Sequence, residues 1–204
     1  LKIIKYSIYM HSPSIFESYV NGLKTEKLYI DISKVEWRNL PVYEAKANGE
    51  TWYYHDVNSE AYIAYNTNKY TSSNLVVPNK LDIYPVVGIV NGAFAESNQS
   101  ITNIIIPNTV KIIQFGAFSY NTNLLSVAIP NSVTNISKSA FSGSSNMQTV
   151  YLEEGSILND DNFIDSKYPI HEKGLHPNSK IIRTKFENGL PIIPPEGEFE
   201  AESP

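Results

Sequence analysis

One short pattern occurs nearly three times between residues 89 and 152. An alanine followed by a phenylalanine recurs at Ala93-Phe94, Ala117-Phe118 and Ala140-Phe141, with an isoleucine four positions before each alanine. The alanines are 24 and then 23 residues apart. A fixed period in the twenties is typical of stacked supersecondary units, which bury their apolar faces on their neighbours. The sequence therefore predicts a solenoid of repeats.

Each copy of the pattern leads into an alternation of apolar residues. Val127 and Ile129 fall on one face of a strand, and Ser126 and Ala128 fall on the other. Proline cannot donate a hydrogen bond to a neighbouring strand, so we expect the prolines to end the strands at a common rim. The inner row of the predicted core is Leu75/Val77, Ile104/Ile106, Val127/Ile129 and Val150/Leu152, and the phenylalanines fill its far side.

The opposite face of these strands forms two rows of side chains, which we call the outward stripe. One row is Val76, Ile105, Ala128 and Tyr151, and the other is Asn74, Asn103, Ser126 and Thr149. The first row is more apolar than a solvated face requires, and tyrosine combines a large contact area with a polar tip. The predicted ligand-binding residues are Val76, Asn103, Ile105, Ser126, Ala128, Thr149 and Tyr151.

The segments on either side of the repeats have a different character. An opening strand near residues 3–10, a helix near 14–21 and a strand near 28–32 precede a hairpin whose turn is Asn48-Gly49. We therefore expect a small α+β capping unit at residues 1–60, repeats at 61–165, and a closing segment with an acidic, proline-rich tail at 166–204. A last strand at residues 180–183 would close the array. The predicted fold class is mixed α/β.

Composition excludes several kinds of function. A net charge of -5 argues against a nucleic-acid partner, because phosphate binding needs a basic surface. No stretch approaches the roughly 18 apolar residues that a membrane span requires. The absence of cysteine excludes thiol catalysis, iron–sulfur clusters and cysteine-bound zinc. We expect no cofactor, no metal site and no enzymatic activity.

Three patterns offer alternative chemistry. His171 and His176 could ligate a metal, but Gly174 and Pro177 argue against a helix that would align them. The acidic loop that contains Asp160-Asp161 lacks the spacing of a calcium loop. The stretch from Trp52 to Asp56 could bind a sugar, although such a cluster is more often a hairpin that packs on a small core.

The repeat resembles the BspA-like leucine-rich repeats. The segment from Ile113 to Ile136 carries the shared positions, namely Ala117-Phe118, Leu124, Val127, Ile129-Pro130 and Ser132-Val133. The resemblance implies a curved solenoid with a parallel sheet on its concave face. It also implies a secreted or cell-surface protein that binds a protein or a host or cell-surface ligand, and it supplies no catalytic motif.

Three functions remain open at this point. The chain could be a binding module that uses the outward stripe, a structural or spacer unit of a surface protein, or a carbohydrate-binding or enzymatic protein centred on residues 1–60. An exposed apolar stripe favours the first, and a stripe covered by the tail or by another chain favours the second. No signal segment is visible, which indicates an intracellular protein or a trimmed mature form. The oligomeric state stays open.

Overall fold

The computed structural model describes residues 32–65, 70–95, 101–137, 139–163 and 179–193. The chain divides into two compact units, Leu1–Pro41 and Val42–Pro204. The described part of the first unit holds two short 3₁₀ helices, Ile32–Lys34 and Trp37–Asn39. The opening strand and helix predicted for residues 3–21 lie outside the described residues, as does most of the strand predicted for 28–32. Its last residue, Ile32, begins a 3₁₀ helix.

The second unit, in its described part, consists of strands, tight turns and one short 3₁₀ helix at Asp160–Phe163. The strands are β1 Tyr43–Ala47, β2 Glu50–Val57, β3 Glu60–Ile63, β4 Asn74–Val76, β5 Lys80–Leu81, β6 Tyr84–Ile89, β7 Asn103–Ile105, β8 Ile112–Ile113, β9 Ser126–Ile129, β10 Asn135–Ile136, β11 Thr149–Glu153, β12 Lys180–Thr184, β13 Phe186–Glu187 and β14 Leu190–Pro191.

Five of these strands form a sheet in the order β12-β11-β9-β7-β4, and every neighbouring pair is parallel. The pairing sets equivalent positions of successive repeats side by side, so that Leu75, Ile104, Val127 and Val150 form one row. All four side chains are buried. The predicted register and inner row are therefore confirmed, because strands with one buried face cannot slip by one residue without exposing their apolar side chains.

A second sheet has the order β1-β2-β3-β6-β8-β10, with β5 added beside β6. Strands β1, β2 and β3 are antiparallel, whereas β3, β6, β8 and β10 run parallel. The predicted hairpin is present, and its turn residues Asn48 and Gly49 have φ values of 52° and 78°. Asparagine and glycine suit this left-handed conformation. The boundary predicted at residue 60 stays a prediction.

The buried aromatic rings of successive repeats form a continuous column. Phe94 stacks on Phe118 with ring centroids 5.0 Å apart, and Phe118 stacks on Phe141 at the same 5.0 Å. The backbone holds the same spacing, because the Phe94 N–H donates to Ala117 O and the Phe118 N–H donates to Ala140 O, each at 2.7 Å. Trp52 and Tyr70 extend the column at one end and Phe163 extends it at the other.

Replacement of the central ring tests this column. Phe118→Ala should lower the free energy of unfolding by about 3 to 5 kcal/mol, because it removes a fully buried ring that contacts two others. Phe115→Ala is the matched control: Phe115 lies three positions earlier and is 53% exposed, so its loss should change stability by less than about 1 kcal/mol. Chemical denaturation measures both values, and equal effects of the two substitutions would contradict the register.

The β1–β2 hairpin closes the β4 edge of the five-stranded sheet. The buried carboxylate of Glu50 accepts hydrogen bonds from the Thr71 N–H and hydroxyl, both at 2.8 Å, and from the Ser72 N–H at 2.7 Å. Beside it, Asn48 Nδ2 donates to Val76 O at 3.0 Å. An edge strand with unpaired carbonyls is a template for aggregation, and this contact occupies one of them.

Removal of the Glu50 carboxylate should weaken this closure. Glu50→Ala removes the buried carboxylate that accepts three part-buried hydrogen bonds from Thr71 and Ser72, so we expect a loss of about 2 to 3 kcal/mol in the free energy of unfolding. Glu44→Ala, on the neighbouring strand, removes an exposed carboxylate and should cost less than about 0.5 kcal/mol. Thermal unfolding of both variants distinguishes the outcomes; a Glu50→Ala protein as stable as Glu44→Ala would exclude a role for this carboxylate.

At the opposite end of the five-stranded sheet, Arg183 on β12 ends the row of apolar side chains. The predicted last strand is confirmed as β12, where Arg183 pairs with Leu152 and so occupies the place that an apolar residue holds in the earlier strands. Arg183 Nη1 donates to Ser156 O at 3.1 Å and Nη2 donates to Leu158 O at 2.6 Å. A charged, partly exposed group thus ends the apolar row, as the last unit of a repeat array requires.

The expectation of a mixed α/β fold is wrong for the described residues, which are mostly β. The segments that return from one strand of the five-stranded sheet to the next are short and extended. After Pro130, for example, only a two-residue turn, Val133 and Thr134 precede strand β10. A stable helix needs several turns, because its first turn is costly to form. The connections are instead two-residue strands and hydrogen-bonded turns.

Candidate binding surface

The predicted outward stripe lies on one face of the five-stranded sheet. Val76 pairs with Ile105, Ile105 with Ala128, and Ala128 with Tyr151. Residues two positions apart on a strand share a face, so the row of Asn74, Asn103, Ser126 and Thr149 lies beside the first. The structure therefore places all seven predicted site residues on one face of the sheet, where Ala128 and Thr149 are buried. Their role in binding stays a prediction.

The stripe is unevenly exposed. Val76, on edge strand β4, is 43% exposed, and Ile105 and Tyr151 are half-buried. Ala128 is buried between them because its side chain is the smallest of the row. The pairing adds one residue that the repeat pattern did not assign to the stripe, Ile182 on β12, which is 8% exposed.

The polar row is joined by hydrogen bonds between side chains. The Ser126 hydroxyl donates to Asn103 Oδ1 at 2.6 Å, and Asn103 Nδ2 donates to Asn74 Oδ1 at 2.7 Å. Asn103 Nδ2 also donates to Thr102 Oγ1 at 3.1 Å. The two predicted hydrogen-bonding residues, Asn103 and Ser126, thus bind their neighbours on adjacent strands, which fixes their orientation at the surface.

The C-terminal hairpin lies next to one end of the stripe. Strands β13 and β14 are antiparallel, and β14 packs against β11. The hairpin is tied to the end of β12 by the Thr184 hydroxyl, which donates to Ile192 O, and by the Ile192 N–H, which donates to Lys185 O at 2.8 Å. Thr184 and Ile182 both lie on an edge strand and are nevertheless buried. The β4 end of the stripe is therefore the more open end.

The structure bears on the alternative sugar-binding and metal-binding sites. Trp52 is completely buried, with Nε1 donating to Ala47 O at 2.9 Å, and His55 is buried too, so neither ring can lie against a sugar. Among the residues the structure describes, no group of three or more histidine or acidic side chains is placed to hold a metal ion. His171 and His176 lie outside those residues, and Asp160 begins a 3₁₀ helix.

A cluster that the repeat pattern did not indicate lies on the hairpin side of the second sheet. It consists of three tyrosines and two aspartates, and we call it the aromatic–acidic cluster: Tyr43, Tyr54, Tyr84, Asp56 and Asp82. The ring centroids of Tyr43 and Tyr54 are 5.6 Å apart, and those of Tyr54 and Tyr84 are 6.3 Å apart. The Tyr54 hydroxyl donates to Asp82 Oδ2 at 2.7 Å.

The electrostatics of the cluster follow from burial and from its carboxylates. Burial raises the pKa of Tyr54, and the hydrogen-bonded carboxylate of Asp82 raises it further. Burial raises the pKa of Tyr84 as well, with Asp56 adding to the effect. Burial also raises the pKa of Asp56, and this outweighs the hydrogen bonds from Tyr84 and from the Ser59 backbone. The cluster is thus a partly desolvated place of negative potential.

No helix in the described part of the chain is long and apolar enough to cross a membrane.

Comparison with known proteins places these features in a family. The family described as BspA type leucine rich repeat region matches residues 68–188 with six copies.

A leucine rich cell surface protein from Faecalibacterium prausnitzii A2-165 is 16% identical; the match covers 70% of this chain and 51% of that chain, with a TM-score of 0.36. A T. pallidum leucine rich repeat protein is also 16% identical, covering 70% of this chain and 82% of that one, with a TM-score of 0.29. This chain spans about half the length of the first of these structures. No curated protein gives a significant sequence match.

Proposed function

Since this chain belongs to the BspA-type leucine-rich repeat family, we propose that it is a non-enzymatic binding protein that holds a protein or cell-surface ligand on the outward stripe. The observation that carries the proposal is the open β4 end of the stripe, where Val76 is 43% exposed beside half-buried Ile105. A regular sheet holds such side chains in fixed positions, so a ligand orders few of them when it binds.

The chemistry of the stripe favours a protein ligand. Its apolar row offers contact area, with Tyr151 as an aromatic anchor, and its polar row offers amide and hydroxyl groups that are already oriented. Interfaces combine an apolar centre with hydrogen-bonding groups at the rim, and tyrosine is enriched among the residues that dominate affinity. An open sheet face of this kind suits a macromolecule better than a small molecule, which binds in enclosed pockets.

We place the protein outside the cell, in secreted or surface-attached form. The support is the family, whose repeat resembles that of surface proteins, and the printed description of the F. prausnitzii protein as a cell surface protein. The absence of cysteine does not argue against this location, because a well-packed core can persist without disulfides.

A second candidate function is a structural or spacer unit of a surface assembly. The observation that favours it is the covered end of the stripe, where β14 packs against β11 and Ile182 is buried. A stripe whose apolar residues are covered within the chain needs no ligand. The two candidate functions differ at the open end of the stripe. Only the binding function requires a ligand to contact the residues there.

Substitution on the stripe tests the binding function. The double variant Ile105→Ser and Tyr151→Ser removes two large apolar groups from the row, and we expect it to weaken binding of the labelled protein to cultured mucosal epithelial cells by about tenfold or more. Flow cytometry measures the bound protein over a concentration series. Thermal unfolding checks that each variant remains folded.

A matched control removes apolar groups elsewhere. Phe115→Ser with Ile157→Ser changes two exposed residues that are not on the stripe, and this protein should bind within about twofold of the wild type. Equal losses for both double variants would indicate nonspecific adhesion. Wild-type binding by a folded Ile105→Ser, Tyr151→Ser protein would exclude the stripe and favour the structural function.

A further inference from the structure

The aromatic–acidic cluster lies apart from the stripe, and its composition points to a ligand of its own. We infer that it is a second docking site, which takes an arginine side chain from a partner segment that carries aliphatic residues beside the arginine. The inference does not depend on the function proposed for the stripe.

The tyrosine rings provide the surface for the guanidinium. Tyr43 and Tyr84 are half-buried and flank Tyr54, which is almost fully buried and contacts both. Tyr54 therefore packs against the rings of both Tyr43 and Tyr84 and limits their movement. The faces of tyrosine rings attract cations, and the planar guanidinium of arginine also stacks on them.

The two carboxylates provide the charge. Asp82 is held by the Tyr54 hydroxyl at 2.7 Å, and Asp56 is hydrogen-bonded to Tyr84. Each tyrosine thus positions one carboxylate. Among the described residues, neither carboxylate forms an ion pair, and Lys80, which lies two positions before Asp82, forms none with it. Two fixed acceptors without a cation are complementary to the fork of donors that arginine presents.

The turn between β5 and β6 adds an aliphatic contact. It consists of Asp82 and Ile83, and Asp82 has a φ of 51°. This conformation is uncommon for a residue with a side chain, and it is held by the bond from Tyr54. Ile83, which lies between Asp82 and Tyr84 in the sequence, is 83% exposed in the turn. A basic partner with an aliphatic neighbour would cover it.

The charge of the ligand distinguishes between the classes of ligand that bind to aromatic side chains. A sugar also stacks on tyrosine, but a neutral ligand would leave both carboxylates uncompensated as it displaced their water, which is costly. An anion would be repelled. A cation is attracted to the carboxylates and to the ring faces at once.

The test uses a defined peptide, acetyl-Leu-Arg-Leu-Arg-Leu-amide with a fluorescent label, and the same peptide with citrulline in place of arginine. Citrulline keeps the shape and the planar group of arginine but carries no charge. Fluorescence anisotropy at low salt should show saturable binding of the arginine peptide to the full chain. The citrulline peptide should bind at least about fivefold more weakly, and so should the arginine peptide at high salt.

The variants locate the binding. Asp56→Asn with Asp82→Asn keeps the size of both side chains, and asparagine tolerates the positive φ at position 82. This protein should bind the arginine peptide at least about fivefold more weakly. Glu154→Gln with Glu187→Gln also removes two negative charges, both exposed and outside the cluster, and should bind within about twofold of the wild type. Ile83→Ser should weaken binding about threefold.

Each remaining outcome overturns the inference. Equal losses in the two charge variants would mean that only net charge attracts the peptide. Equal binding of the citrulline peptide would reduce the cluster to an apolar patch. Absence of saturable binding to the folded wild-type chain would remove the site altogether. Circular dichroism at the assay temperature confirms that each variant is folded, and loss of epithelial-cell binding by the Ile105→Ser, Tyr151→Ser protein would leave this test unaffected.

Discussion

The fold depends on one repeated contact, the stacking of each phenylalanine ring on the ring of the next repeat. The ring spacing of 5.0 Å matches the distance between neighbouring strands, so the column, the five-stranded sheet and the parallel part of the second sheet share one repeat distance. The backbone bonds from Phe94 to Ala117 and from Phe118 to Ala140 enforce that distance. The alanine before each phenylalanine leaves room for this approach, since each of the three alanines is fully buried where backbones cross between repeats.

A repeated contact creates two ends, and the chain closes each of them with polar groups that the repeat lacks. At the β4 end, Glu50 and Asn48 bring the hairpin onto the edge strand. At the β12 end, Arg183 replaces an apolar residue and donates to carbonyls of the preceding loop. Both devices satisfy backbone groups and avoid exposing an apolar row. The outward stripe lies between these ends, on the face of the sheet opposite the buried inner row.

The repeats could be predicted from the sequence because their determinants are local and recur. A period of 23 or 24 residues fixes which residues are neighbours, so the inner row from Leu75 to Val150 and the stripe from Val76 to Tyr151 both followed from counting. The mixed fold was predicted from a helix near residues 14–21 beside the sheet of the repeats, whereas the return segments in the described residues are too short for a helix. The Glu50 contact with Thr71 and the aromatic–acidic cluster were missed because each joins residues from segments that do not repeat. Tyr43, Tyr54 and Tyr84 meet only once β1, β2 and β6 are arranged in space. The signal that was available for Asp82 was its place in a two-residue turn.

The polar row of the stripe has a direction. Its hydrogen bonds run the same way across three strands, from the Ser126 hydroxyl to Asn103 and from the Asn103 amide to Asn74. Asn103 therefore accepts from the β9 side and donates toward the β4 side, and bonds aligned in this way polarise one another. The two ends of the row are chemically different although the strands beneath them are equivalent. A ligand that forms hydrogen bonds along this row therefore meets a different group at each end, so its two orientations are not equivalent.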